Sequence, residues 1–160
     1  MKAEVVKEHE WLKQLIGEWT FETEANMGPD KPCEKFAGTE SVRSLGDVWI
    51  LGEGGGDTPG GGKASNLITL GYDTQKKRFV GTWIGSMMNY MWVYEGSLDS
   101  TGKILTLSTK GPSFAGNDKM ADYEDIIEIK SPDHRTLTSR TKGDDGNWNQ
   151  FMIAHYHKKS

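Results

Sequence analysis

Two histidines close to the end of the sequence are the residues best suited to hold a metal ion. His155 and His157 are two positions apart, so on a β-strand their side chains leave the same face, in a geometry that zinc or iron can use. Phe151 and Ile153 fall on that face too, which predicts an inward stripe that places at least one imidazole inside the fold. No third ligand follows from the spacing, and ordinary strand-end histidines are the alternative interpretation.

Methionine and aromatic residues cluster at Met87, Met88, Tyr90, Met91 and Trp92. Methionine adapts its shape and aromatic rings offer broad apolar faces, so the cluster suits an undemanding hydrophobic pocket. Two other interpretations stay open. The side chains either fill a core or form a surface on which a second copy of the chain packs.

Some charged residues fall on the predicted strands, where a side chain that faces the apolar interior needs a hydrogen-bond or ion-pair partner. Glu40 shares a face with Phe36 and Val42, so we expect it to be buried and either paired or protonated. Arg43 lies on the alternate face, and we consider it a candidate for orienting a ligand.

The sequence assigns no catalytic residue. It has no Gly-x-Ser-x-Gly nucleophile elbow, and its one cysteine, Cys33, lies between Pro32 and Glu34 with no evident base beside it. We therefore expect a binding protein without a cofactor rather than an enzyme, while catalysis through His155 and His157 stays an alternative.

The candidate residues are positioned by short runs rich in threonine, valine, isoleucine and aromatic residues. Residues 4–16 have the apolar spacing of a helix, and the runs after Gly17 are typical of antiparallel strands. Turn sequences such as Asp99-Ser100-Thr101-Gly102 make consecutive strands hairpin neighbours. We predict about ten strands, over residues 18–26, 35–45, 47–53, 65–72, 78–86, 89–98, 103–110, 120–130, 135–142 and 147–157.

Glycines alternate with aromatic residues on the predicted strands 78–86 and 89–98, which indicates a strongly bent sheet. Such a sheet either forms two stacked layers or closes on itself, and closure removes both exposed edges. We predict a single antiparallel up-and-down β-barrel over residues 18–157, with helix 4–16 covering one end. The Gly-rich segment 52–62 is expected to be a mobile loop at the barrel mouth, either a plain connection or a lid.

Length and composition exclude several classes of protein. The 160 residues suit one domain, 1–160, and 19 Lys and Arg against 23 Asp and Glu leave no basic face for nucleic acid. One cysteine cannot form an intrachain disulfide, and no apolar run reaches membrane-spanning length. We expect a cytoplasmic protein that binds neither nucleic acid nor membranes.

Five sequence blocks carry a family pattern: His9-Glu10-Trp11-Leu12-Lys13-Gln14-Leu15-Ile16-Gly17-Glu18-Trp19, Leu45-Gly46-Asp47-Val48-Trp49, Leu70-Gly71-Tyr72-Asp73, Phe79-Val80-Gly81-Thr82-Trp83 and Asp145-Gly146. In this order they resemble domain-of-unknown-function family 1579. The resemblance implies a calycin-like, lipocalin-related barrel that Gly17-Glu18-Trp19 opens. Some small calycin-like barrels hold haem through a histidine near the C-terminus, so His155 becomes a candidate haem ligand. The resemblance leads us to expect Tyr followed by Arg in the last strand, whereas this chain has Tyr156-His157-Lys158.

The leading hypothesis is a lipocalin-like barrel that binds a small hydrophobic molecule in its interior. The residues expected to line its cavity are Arg43, Trp49, Trp83, Met87, Tyr90, Trp92, Phe151 and His155. One alternative is a haem- or metal-binding protein or enzyme that uses His155 and His157. The other is a structural or interaction module with a filled barrel, in which the methionine and aromatic cluster pairs two copies as a homodimer.

Overall fold

Ten antiparallel strands make up most of the structure, a computed structural model that describes residues 2–26, 31–58, 61–114, 116 and 118–159. Each of the ten predicted runs corresponds to one of these strands, with ends that differ by a few residues. The strands are β1 (Gly17–Ala25), β2 (Glu34–Leu45), β3 (Trp49–Asp57), β4 (Lys63–Asp73), β5 (Arg78–Gly85), β6 (Trp92–Leu98), β7 (Ile104–Pro112), β8 (Met120–Ser131), β9 (His134–Lys142) and β10 (Trp148–Lys158).

The strands close into a barrel because each pairs with its neighbours in sequence and β1 also pairs with β10. Thr23 of β1, for example, lies between Phe36 of β2 and Ala154 of β10. Closure gives every strand two neighbours, so the sheet presents no long unpaired edge to other chains. The predicted antiparallel up-and-down barrel is confirmed.

Alternation along each strand separates the inside of the barrel from the outside. On β1, Trp19, Phe21 and Thr23 are buried, whereas Glu18 and Glu22 face solvent. Successive side chains of a strand point to opposite faces, so each strand contributes about every second residue to the interior. A chain with only 35% hydrophobic residues therefore has enough of them to build this core.

The helix is shorter than the predicted 4–16. It spans Lys7–Leu12 (α1) and continues into a 3₁₀ turn at Lys13–Leu15. Its start is set by His9, whose ring nitrogen Nδ1 accepts the backbone N–H of Val6 at 3.0 Å. That bond satisfies one of the amide groups that the first turn of a helix leaves without a partner.

The helical segment covers the end of the barrel at which β1 begins. Leu12 and Leu15 are buried in the core cluster, and the indole Nε1 of Trp11 donates to the carbonyl of Gly102 at 2.6 Å. The expected cover at one barrel end is confirmed. No helix among the described residues is long and apolar enough to cross a membrane.

Most of the predicted Gly-rich loop belongs to the barrel wall. Residues 52–57 lie in β3, so the expectation of a loop or lid over 52–62 is wrong for this part, and 59 and 60 lie outside the described residues. A Cβ atom at Gly56 would lie 2.3 Å from the carbonyl oxygen of Ala37 on β2. Only glycine fits where two strands approach this closely, so packing against β2 requires a glycine at position 56.

The most deeply buried side chains lie in the half of the barrel nearer α1. Packing there joins the helical cover to the first residues of β5 and β7 and the last residues of β4. The largest fully buried side chains are Leu12, Trp19, Leu70, Phe79, Leu105 and Leu107.

Candidate functional site

A cavity of about 410 Å³ lies inside the barrel and receives side chains from all ten strands. Its wall is mostly apolar and includes Phe21, Ile68, Leu107 and Ile127. It extends to the barrel end opposite α1, where Phe36 near the start of β2 borders it. The interior is therefore not filled by side chains, which corrects the alternative of a solid barrel.

Apolar side chains surround the cavity at the end opposite α1, and we call them the aromatic mouth. The members are Met87, Met88, Trp92, Phe114 and Phe151. Met87 and Phe114 are 53% and 47% exposed, so they contact both the cavity and solvent. The rings of Phe114 and Phe151 meet edge to face with centroids 5.0 Å apart. This mouth presents an apolar entrance to the cavity.

Arg135 and Glu40 form a buried ion pair in the half of the cavity nearer α1. An Nη atom of Arg135 donates to an Oε atom of Glu40 at 2.6 Å, and both side chains are under 10% exposed. The guanidinium also lies over the rings of Trp19 and Tyr156, 4.5 and 4.1 Å from their centroids. Burial raises the pKa of the Tyr156 phenol far above its usual value, and the nearby Glu40 charge adds to the rise. Glu40 is thus the buried, paired carboxylate that alternation predicts.

A second carboxylate inside the barrel, Asp125, is held by hydroxyl groups. Ser139 donates to one carboxylate oxygen at 2.6 Å, and the Tyr94 hydroxyl donates to the other. Burial raises the pKa of Asp125, and the two hydroxyl bonds oppose that rise without cancelling it. Burial also raises the pKa of Tyr94 well above its usual value. We call the combined set of Glu40, Tyr94, Asp125, Arg135, Ser139 and Tyr156 the polar cluster.

Two buried polar atoms beside the cavity have no hydrogen-bond partner among the described residues. They are the hydroxyl oxygen of Thr109 and the Nε of Arg135. Both residues contribute to the cavity wall, and Thr109 is only 9% exposed. A buried polar group without a partner costs free energy, so a molecule in the cavity that bonded to either atom would gain by doing so.

The sequence profile of the family described as "Protein of unknown function (DUF1579)" matches residues 4–158. The chain belongs to this family. The resemblance carried by the five sequence blocks is thereby confirmed for nearly the whole length of this DUF1579 chain. A search of curated proteins found no match.

Three solved structures share the barrel of the DUF1579 chain. Rv2717c from M. tuberculosis has a TM-score of 0.68 at 11% identity, covering 98% of this chain and 100% of its own. EF1p2_mFAP2b bound to DFHBI has a TM-score of 0.51 at 13% identity, with 94% and 98% covered. A de novo designed fluorescence-activating β-barrel has a TM-score of 0.50 at 13% identity, with 97% and 100% covered. At these identities the likeness shows the fold alone.

The cavity of the DUF1579 chain includes four of the residues expected from the sequence. They are Trp83, Met87, Trp92 and Phe151. The structure places Arg43 and Trp49 elsewhere. Arg43 faces solvent beside Glu53, with 3.8 Å between the charged atoms, and Trp49 is 40% exposed on the outer face. The cause is alternation, because neighbouring Val42 and Ile50 take the inward positions.

Tyr90 also lies outside the cavity lining, at a place where two strands separate. The first residues of β6 pair with β5, whereas β6 pairs with β7 only from Glu95 onward. The hydroxyl of Tyr90 donates to the carbonyl of Lys110 on β7 at 2.8 Å and so spans the gap. Its role in the structure is to hold two strands together at the mouth.

The predicted histidine pair lies on the outer surface of the barrel. His155 and His157 are exposed, and the ring of His157 stacks on that of His134 with centroids 4.5 Å apart. A bulge between Gln150 and Met152 shifts the register of β10. Residues 154 and 156 therefore point inward, and the expected inward stripe through 155 and 157 is wrong.

The haem alternative fails on the same geometry, because His155 does not face the cavity. The buried histidine, His9, uses both ring nitrogens, one with Val6 and one with the carbonyl of Tyr72 at 3.0 Å. Among the described residues, no three His, Cys, Asp or Glu side chains are arranged to hold a metal ion.

Most members of the polar cluster are not predicted from the sequence. The inward position of Asp125 can be predicted from the sequence, since Asp125 lies on the same strand face as Tyr123 and Ile127, both of which are buried. An acidic residue between two inward apolar residues is expected to face the interior. The burial of Arg135 is harder to predict, because Leu137 and Ser139 on the same strand face do not by themselves show that an arginine is buried.

Proposed function

We propose that this DUF1579 chain binds a small, mostly apolar molecule inside its barrel. The observation that carries the proposal is the cavity of about 410 Å³, because its wall is largely apolar and the aromatic mouth gives access to it. Small-molecule sites in proteins are concave, mostly apolar and of this order of size, with a few polar groups that orient the ligand.

The energetics favour encapsulation. Burying about 200 Å² of apolar ligand surface contributes about 5 kcal/mol, at about 25 cal/mol per Å². Methionine and aromatic side chains at the mouth contribute to this burial and adapt to different shapes. Loss of translational and rotational freedom offsets part of the gain, so generic apolar probes are expected to bind with dissociation constants of about 0.2 mM or weaker.

A solved structure with the same fold supports the proposal. EF1p2_mFAP2b is a barrel of similar architecture, and it is bound to DFHBI in its structure. The support is limited to the architecture, since the two chains are 13% identical. The chemical class of ligand for this chain must be inferred from the residues that line its own cavity.

Titration with the neutral fluorescent probe N-phenyl-1-naphthylamine tests the proposal. Thr23 is buried and lines the cavity, so Thr23→Phe places a ring in the space that a ligand would fill. Thr20 lies on the same strand and is exposed, so Thr20→Phe is the matched control. We expect the wild type and T20F to enhance probe fluorescence equally, and T23F to bind at least tenfold more weakly.

Two outcomes contradict the proposal. One is a wild-type chain that leaves the fluorescence of the probe unchanged. The other is equal probe affinity in T23F and T20F, which would place the probe outside the barrel. Circular dichroism of both variants is needed beside the titration, so that a loss of binding by T23F is separated from a loss of fold.

A further inference from the structure

The charged groups that face the cavity are not balanced. Glu40, Asp125 and Arg135 are the charged residues of its wall inside the barrel, and Glu34 borders it at the solvent-exposed start of β2. No other Lys, Arg, Asp or Glu contributes to the described wall. Acidic groups therefore outnumber basic ones along the inner surface where a ligand would lie.

The one positively charged side chain of the described wall is already paired with a carboxylate. Arg135 donates to Glu40 at 2.6 Å and lies over the rings of Trp19 and Tyr156. A ligand carboxylate that accepted the remaining Nε–H of Arg135 would share its single positive charge with Glu40 and lie beside that buried carboxylate. Displacing Glu40 would leave a buried anion without a partner, which is strongly unfavourable.

Asp125 is held by neutral groups. Its hydrogen bonds within the described part of the chain come from the hydroxyls of Ser139 and Tyr94, each of which supplies one hydrogen bond and no charge. A carboxylate has about four acceptor positions, so Asp125 keeps acceptor capacity toward a ligand that donates. Whether this carboxyl is charged or protonated, it supplies no positive charge for a bound anion.

We infer that the cavity selects apolar molecules that carry a hydroxyl or an amino group and excludes carboxylates of the same size. This inference rests on the proposed function. The hydroxyl of Thr109, which both donates and accepts and has no partner among the described residues, offers a further bond to such a group. A ligand carboxylate would lose its water shell and gain no free cation in exchange.

Three probes with one tail test the inference: decan-1-ol below its solubility limit, and decylamine and decanoate below their micelle concentrations, all at pH 7.5. Displacement of N-phenyl-1-naphthylamine gives their affinities for the wild-type chain. We expect decan-1-ol and decylamine to bind at least tenfold more tightly than decanoate. Affinity for decanoate equal to or above that of the other two would overturn the selection while leaving ligand binding intact. A chain that takes none of the three overturns the proposed function and, with it, the selection.

Asp125→Asn locates the source of the selection. The substitution keeps the shape of the side chain and replaces the carboxyl by an amide that carries no charge at any pH, so the preference for decylamine over decanoate should fall at least fivefold. Asp122→Asn is the matched control, because Asp122 lies on the same strand but faces Lys110 on the outer surface at 3.7 Å. An equal change in both variants, or none in D125N, would overturn the assignment to Asp125. The wild-type probe series tests the selection independently if D125N does not fold.

Discussion

The aromatic mouth and the polar cluster border one cavity, yet they are built on opposite principles. At the mouth, Met87 and Phe114 leave about half of their surface in solvent and offer adaptable apolar faces. In the polar cluster, Arg135 and Asp125 are held by hydrogen bonds with fixed partners on other strands. The mouth therefore suits loose contact with apolar surface, whereas the cluster favours one arrangement of charges.

The difference shows where each property of the cavity resides. Stability and charge preference depend on the polar cluster, since the hydrogen-bond partners of Asp125 and Arg135 lie on other strands and meet them only in the closed barrel. Affinity for apolar surface depends on the mouth, where a substitution removes contact area without leaving a buried charge. Substitutions in the two regions should therefore change different measurements.

The largest expected effect comes from breaking the buried ion pair. Arg135→Leu leaves Glu40 buried and unpaired, so the free energy of unfolding should fall by about 3–5 kcal/mol. Urea denaturation measures it. Arg43→Leu is the control, because the pair of Arg43 with Glu53 is exposed, and it should cost less than about 1 kcal/mol. If R135L and R43L were equally stable, the polar cluster would not support the fold.

The next effect concerns Asp125 and pH. Burial raises the pKa of this carboxyl above its ordinary value of 3.8, so the folded chain binds the proton more tightly than the unfolded chain. Protonation therefore favours the fold, and the cost of the buried charge is fully present only above the folded-state pKa. Measured relative to D125N, the free energy of unfolding of the wild type should rise as the pH falls toward 3.8. A difference that does not vary with pH contradicts this expectation.

A smaller effect is expected at the mouth. Met88→Ala removes apolar contact of the order of 1 kcal/mol, so the affinity for N-phenyl-1-naphthylamine should fall about fivefold, while the free energy of unfolding changes by less than about 0.5 kcal/mol. Met91 is 56% exposed and is not part of the cavity wall, so Met91→Ala should leave both quantities unchanged. A large loss of stability in M88A would erase the distinction between mouth and cluster.

The smallest effect is expected outside the barrel. Burial lowers the pKa of His134, and the neighbouring His157 and His155 lower it further. His157→Gln should therefore raise the pKa of His134 slightly in an NMR titration and leave probe affinity unchanged. Altered probe binding in H157Q would show that the outer histidines are coupled to the cavity.

The sequence predicts the strands better than it predicts the wall of the cavity. Alternation on β1 and the turns between strands are local properties, and they suffice to place all ten strands and to expect closure. Alternation also identifies Glu40 as a buried charge. It fails at His155, because the bulge after Gln150 changes which residues of β10 face inward. A bulge depends on pairing with β9, which no local pattern of β10 reports.

Pairing of two chains through the methionine and aromatic cluster stays a prediction. Met87, Met88 and Met91 are each more than 40% exposed, so their surface is accessible to a partner as well as to a ligand. Native mass measured with and without a bound probe would separate the two uses.

The sequence by itself determined the closed barrel, because strand alternation, turn residues and a single amphipathic helix are all encoded within short stretches of chain. The tertiary structure alone decided the charge environment inside it. Arg135 and Glu40 are 95 positions apart, and Tyr94 and Asp125 are 31 apart. Such partners meet only when the barrel closes, since the geometry of closure and not the local pattern brings distant strands face to face.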